Sequence, residues 1–257
     1  MTSKSDLLHA LEQKPLAYWA TIENYRWWLA HDQVYLQLLR LETKISAETV
    51  RTIAKAYGIN RNIDADEDKT NDRTAAAVAN VLNSTDFVKF AEKKTLDDKF
   101  EQFLAILRRM PMNLGVDEAK LKFVSGTSKF IWFFAPTCWT MFDRLAAHGA
   151  GIRKDLASVE RAKRFFTALS SRGFESIIEK ARPLFQDSPF RDLSPERLVD
   201  KFLWLKGCSP AAQTNGRLTL YFYMQGLPTD LREQLESLAN RIAADCEQDL
   251  LKLAAKK

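Results

Sequence analysis

The chain has 257 residues, of which 46% are hydrophobic, 28% charged and 11% aromatic, and a formal net charge of +5. That apolar fraction is normal for a globular protein and argues against intrinsic disorder. With only 9 Gly and 8 Pro, the composition argues against a many-turned β-sandwich and for long helices.

The longest apolar run, 130–141, is broken by Pro136, Thr137 and Thr140, so no segment is expected to span a bilayer. The opening MTSKSDLLHALEQK lacks an apolar signal core, and a cytoplasmic protein is expected. Cys138, Cys208 and Cys246 lie far apart. They suggest a reducing compartment and form no CxxC metal site. The positive charge is concentrated. Residues 1–119 carry 16 basic and 18 acidic side chains, and 183–257 carry 10 of each, whereas 120–182 carry 12 basic and 5 acidic. Such a segment has the charge of a phosphate-binding face, though solvated basic helices produce the same count.

In chain order, the pattern is helical nearly throughout, and an all-α, multi-helix fold is expected. Residues 16–43 read as one or two helices rich in Leu and aromatics. Ser46 is placed to cap AETVRTIAKAY, and Gly58 to stop it. An acidic loop, 60–72, follows and is the candidate subdomain boundary of an otherwise single helical domain, 1–257. Helices are expected at 72–83, 86–94 and 96–109, with Pro111 ending the last, and shorter ones at 117–124, 128–135 and 143–149. Residues 156–172 repeat apolar positions at spacings of three and four. Ser194 and Pro195 open a helix that Gly207 closes. RLTLYFYM at 217–224 reads as strand or buried helix. A last helix spans 229–254.

Several chemistries fail on spacing. Asp64, Asp66, Asp68 and Asp72 occupy calcium-loop positions, but Lys69 stands where the turn needs Gly and Ala75 where a bidentate Glu is needed. The fragment 126–129 lacks the order of a phosphate-binding loop. His9, His31 and His148 have no zinc-ligand spacing, and no GxSxG elbow is present.

The densest chemical information lies at 124–149. Ser125, Gly126, Thr127 and Ser128 read as a polar turn capping a short buried helix that begins near Lys129. Desolvation of Lys129 there favours its nucleophilic neutral amine. Asp143 opens the next helix as an N-cap, with Trp132 and Trp139 lining the same opening. The plain alternative is a cap, a snorkelling lysine and core tryptophans.

The segment SKFIWFFAPTCWTMFDRLA resembles the catalytic region of the helix-hairpin-helix DNA glycosylase superfamily, and more particularly bacterial proteins with an 8-oxoguanine DNA glycosylase-like fold. RLVDKFLWLKG at 197–207 is similar to a closing helix of its smaller members. The hairpin here reads VSGTS, with one glycine where the family has LPGVG. The 14-residue lysine-to-aspartate interval is shorter than usual, and Arg144 follows the aspartate. The resemblance implies two helical halves with a cleft, DNA as partner, and excision of a damaged or modified base. It also implies Lys129 as Schiff-base nucleophile and Asp143 as charge stabiliser, with Trp132 or Trp139 against the flipped base. Arg144, Arg153, Lys154, Arg161 and Lys163 are the candidate phosphate contacts. No cofactor is expected, because the four-cysteine cluster of the iron–sulfur members is missing. The rival reading is a non-catalytic helical module that binds nucleic acid or protein, and a third is a bacterial defence component on the same scaffold.

Overall fold

The computed structural model describes residues 4–60, 63, 73–115, 117–186 and 188–255. All but residues 60 and 63 of the acidic loop, with its four aspartates, lie outside them. Among the described residues there are helices and no strand. In chain order they are α1 (Lys4–Gln13), α2 (Leu16–Trp27), α3 (Gln33–Leu41), α4 (Ala47–Ala56), α5 (Arg73–Asn83), α6 (Phe87–Glu92), α7 (Leu96–Arg109), α8 (Val124–Phe134), α9 (Arg144–Gly149), α10 (Ser158–Ser171), α11 (Phe174–Gln186), α12 (Pro195–Gly207), α13 (Pro210–Gln225) and α14 (Thr229–Leu253). A π turn, Trp28–Asp32, leads into α3. Single 3-10 turns form at Pro111–Asn113 and Glu118–Lys120.

Short polar side chains set where these helices begin. Ser46, Asp86, Thr95, Asp143, Ser194 and Ser209 each accept a bond from the backbone N–H three residues on, satisfying one of the donors that a helix start leaves open.

The chain divides into two compact units. The first comprises Met1–Trp27, Asp143–Lys154 and Ala168–Lys257, and the second Trp28–Phe142 and Asp155–Thr167. In the first unit α12 is central and buried along nearly its whole length. It crosses α9 backbone to backbone: a Cβ on Gly149 would lie 1.9 Å from the Leu203 carbonyl oxygen, and one on Gly207 would lie 1.9 Å from that of Leu145. Only glycine permits that approach. Glu247 of α14 reaches the start of α2, accepting from Ala17 N at 2.7 Å and Leu16 N at 3.3 Å. The end of α14 is tied by Arg172, whose Nη1 donates to the carbonyls of Leu253 at 2.7 Å and Ala150 at 2.8 Å. Charged groups are buried beside the apolar core: Arg197 pairs with Asp200, and Lys201 lies over the Trp27 ring, 3.9 Å from its centre.

The second unit is built around aromatic rings. Trp139 stacks on Phe166 with centroids 4.4 Å apart, and Phe90 and Phe103 pack against the same indole at 5.3 and 5.5 Å. Asn83 closes α5 onto the residue before the α4 cap, donating to the Ile45 carbonyl and accepting from its N–H.

Candidate functional site

The region expected to carry chemistry is built differently from the sequence expectation. The helix holding Lys129 starts at Val124, not near Lys129. Phe123 caps it in the left-handed region, with φ +59°, and its ring covers Gly126 so closely that a Cβ there would lie 2.3 Å from Phe123 Cε2. Residues 125–128 therefore belong to the first turn and a half of α8. Lys129 sits in the second turn rather than at the mouth. It is half-buried, and its Nζ donates to Ser125 Oγ at 3.1 Å and to the Tyr57 carbonyl at 3.5 Å. Both partners are acceptors and favour the ammonium form.

Ser128 is fully buried and binds a stretch of chain 14 residues away. Its Oγ accepts from Phe142 N at 3.0 Å and lies within donating distance of the carbonyls of Ser125 (2.9 Å) and Phe142 (3.3 Å). Its own carbonyl accepts from Trp139 Nε1 at 3.0 Å. Residues 128 and 142 are thus clamped together within the second unit, beside Lys129. Lys99, a fully buried lysine of α7, donates from Nζ to the Thr137 carbonyl and lies 5.3 Å from the centre of the Phe90 ring. It fixes the middle of the connection between α8 and Phe142.

Asp143 caps α9 as expected, accepting from Ala146 N at 2.7 Å. Within the first unit its neighbour is Cys208, the residue that ends α12. Burial pushes the Cys208 thiol above its ordinary value, and the Asp143 carboxylate adds to the shift.

Trp132 and Trp139 are 1% and 0% exposed. Trp132 meets Phe133 at 5.2 Å, and the Trp139 ring is enclosed by phenylalanines, so both indoles serve as packing in this structure. The basic candidates divide between the units. Arg144, Arg153 and Lys154 are exposed on the first; on the second Lys163 is exposed, and Arg161 is half-buried with Nη2 donating to the Leu156 carbonyl. No group of three or more His, Cys, Asp or Glu among the described residues is arranged to hold a metal ion, and no described helix is long and apolar enough to cross a membrane.

Sequence reasoning missed Ser128, Lys99, Tyr57 and Asp32. Ser128 reads as part of a capping turn, nothing within the expected helix 96–109 marks Lys99 as buried, and nothing local announces the π turn that ends in Asp32. The chain matches no family model, no curated protein and no solved structure.

Proposed function

We propose that this chain is a DNA glycosylase, with lyase activity, that removes a damaged or modified base from DNA and acts in the cytoplasm. What supports the reading is the Ser128–Phe142 clamp within the second unit, which fixes the part of α8 that carries Lys129. The base leaves the stack before reaction, since its glycosidic bond is closed off inside a duplex. Lys129, held as the ammonium by its two acceptors, gives up a proton to solvent as substrate draws it away, and its Nζ then attacks the sugar C1′. The C1′–N bond breaks, its electron pair departs with the base, and the base takes up a proton. The C1′–O4′ bond then breaks with its electron pair on O4′, which takes up a proton, and the lysine nitrogen and C1′ are left joined as a protonated Schiff base. The Asp143 carboxylate stabilises the positive charge that develops on the sugar. The exposed Arg144, Arg153, Lys154 and Lys163 supply phosphate contacts.

The test is borohydride trapping on duplexes carrying 8-oxoguanine, uracil or an abasic site. Wild-type protein is expected to give a covalent adduct, and Lys129→Gln none. Asp143→Asn keeps a side-chain oxygen at the cap but removes the charge. It is expected to lower base release by about 10²–10³-fold, the cost of one electrostatic stabiliser, with DNA binding retained. Full excision by both variants would place the chemistry elsewhere.

A second reading, a helical binding module, is favoured by α3. That helix buries none of its residues, and Val34 and Leu41 stand exposed two turns apart, each one turn from half-buried Leu38. Under that reading no adduct forms on any substrate. A steep loss of DNA affinity with added salt would then mark nucleic acid as the ligand.

A further inference from the structure

A π turn carries one more residue than an α turn, so it displaces the following side chains by about 100° around the helix axis. Such turns are rare and recur at functional sites. In Trp28–Asp32, Leu29 and Ala30 face solvent, while Asp32 is 0% exposed. A carboxylate at that depth needs a donor, and the Tyr57 hydroxyl donates to its Oδ1.

Tyr57 stands at the C-terminus of α4. Its carbonyl is one of those a helix end leaves without an internal donor, and a cation there is favoured by the helix dipole. Lys129 Nζ is that cation. Phe133, one turn after Lys129 on α8, meets the Tyr57 ring edge-on at 5.3 Å. One face of α8 therefore rests on this single tyrosine twice, through the amine on its carbonyl and through the phenyl on its ring. His31 and Tyr35 pack against the same ring, each 6.1 Å away.

We infer that Tyr57 and Asp32 are positioning residues for Lys129. The carboxylate–phenol bond fixes Tyr57, and the Tyr57 carbonyl then holds the lysine aimed and charged until substrate draws it away. The functional meaning rests on the reading of Lys129 as a nucleophile. The positioning itself is tested without DNA.

The experiment is competitive acetylation with acetic anhydride between pH 7 and 11, read by peptide mass spectrometry as the ratio of Lys129 to exposed Lys122. Tyr57→Phe removes the hydroxyl and keeps ring and carbonyl. At pH 8 it is expected to raise the Lys129/Lys122 ratio between about twofold and about tenfold, the span of one hydrogen bond, with the labelling midpoint of Lys129 falling. Asp32→Asn still accepts from the phenol and is expected to stay within about twofold of wild type. An unchanged ratio in Tyr57→Phe overturns the inference, whatever happens to thermal stability. If that variant does not fold, Asp32→Ser, whose hydroxyl falls short of the phenol, is read in its place with the same two outcomes. Trapping on DNA reports on the glycosylase reading alone, so each can fail without the other.

Discussion

Ser128 shows how much a single side chain decides here. Its hydroxyl serves both the N–H and the carbonyl of Phe142 from inside the protein. Ser128→Ala leaves that N–H buried without its partner, at a cost of about 1–3 kcal/mol. The denaturant midpoint is therefore expected to fall with an unchanged slope, and a midpoint equal to wild type would remove the clamp from the account. Asp143 was legible as a cap, because an acidic residue before an apolar run has a local signature. Ser128 was not, because the bond that defines it spans 14 residues. Lys99 was hidden for the same reason. Two aspartates precede it on α7 as on any solvated face, and only the position of the Thr137 carbonyl brings it inside.

Helices were legible where they carry their own stop and start signals. Ser46 opens α4, with its hydroxyl accepting from Thr49 N at 3.1 Å. Ser194–Pro195 opens α12 and Gly207 ends it. The expectation failed where a local pattern met a tertiary one. Residues 117–123 yield only one 3-10 turn, which ends at Leu121, and Phe123 takes a left-handed backbone before α8 begins at Val124. The strand-like 217–224 is helical within α13. Ser209 and Pro210 start that helix, and Leu220 and Met224, one turn apart, are its buried contacts. α11 went unseen, and Pro183 lies inside it. The glycines at the α9–α12 crossing have no sequence signature beyond their identity, yet they fix how Asp143 and Cys208 meet. Gly149→Ala and Gly207→Ala each drive a methyl onto a carbonyl oxygen. Each is expected to cost about 3 kcal/mol or more by chemical denaturation. Gly216→Ala, inside α13 with the nearest atom 3.7 Å from the new methyl, is expected to be neutral or to stabilise by up to about 1 kcal/mol. Equal effects at all three positions would mean that the crossing tolerates separation.

At the scale of the whole molecule, composition was enough to give the helical class. Ionisation behaviour was not legible, because it depends on which groups the fold desolvates. Burial pushes Tyr18 and Tyr223 up to about 12 and the Cys246 thiol up to about 11, with nearby acidic groups adding in each case: Glu236 at Tyr18, Tyr25 and Glu23 at Tyr223, and Asp245 and Asp249 at Cys246. The sign follows from which state holds the proton. Below pH 9 native and unfolded chains both keep these protons, and the three groups leave stability unchanged with pH. Above pH 9 for the thiol and pH 10 for the phenols, the unfolded chain releases its proton while the native chain does not. Unfolding then releases protons, and stability falls as pH rises through the folded values. Each group contributes a slope of at most about 1.4 kcal/mol per pH unit. The denaturant midpoint is expected to hold level from pH 8 to 9 and to fall progressively from 9 to 11. Cys246→Ala is expected to reduce the fall between pH 9 and 10, to which its thiol and that of Cys208 contribute ahead of the phenols. At pH 8 the native thiol of Cys246, fully buried, is expected to resist a disulfide reagent that reaches half-buried Cys138 and Cys208. A midpoint level to pH 11 in wild type would show that these groups ionise in the native protein as they do in the unfolded chain, and that α14 does not seal Cys246 from water.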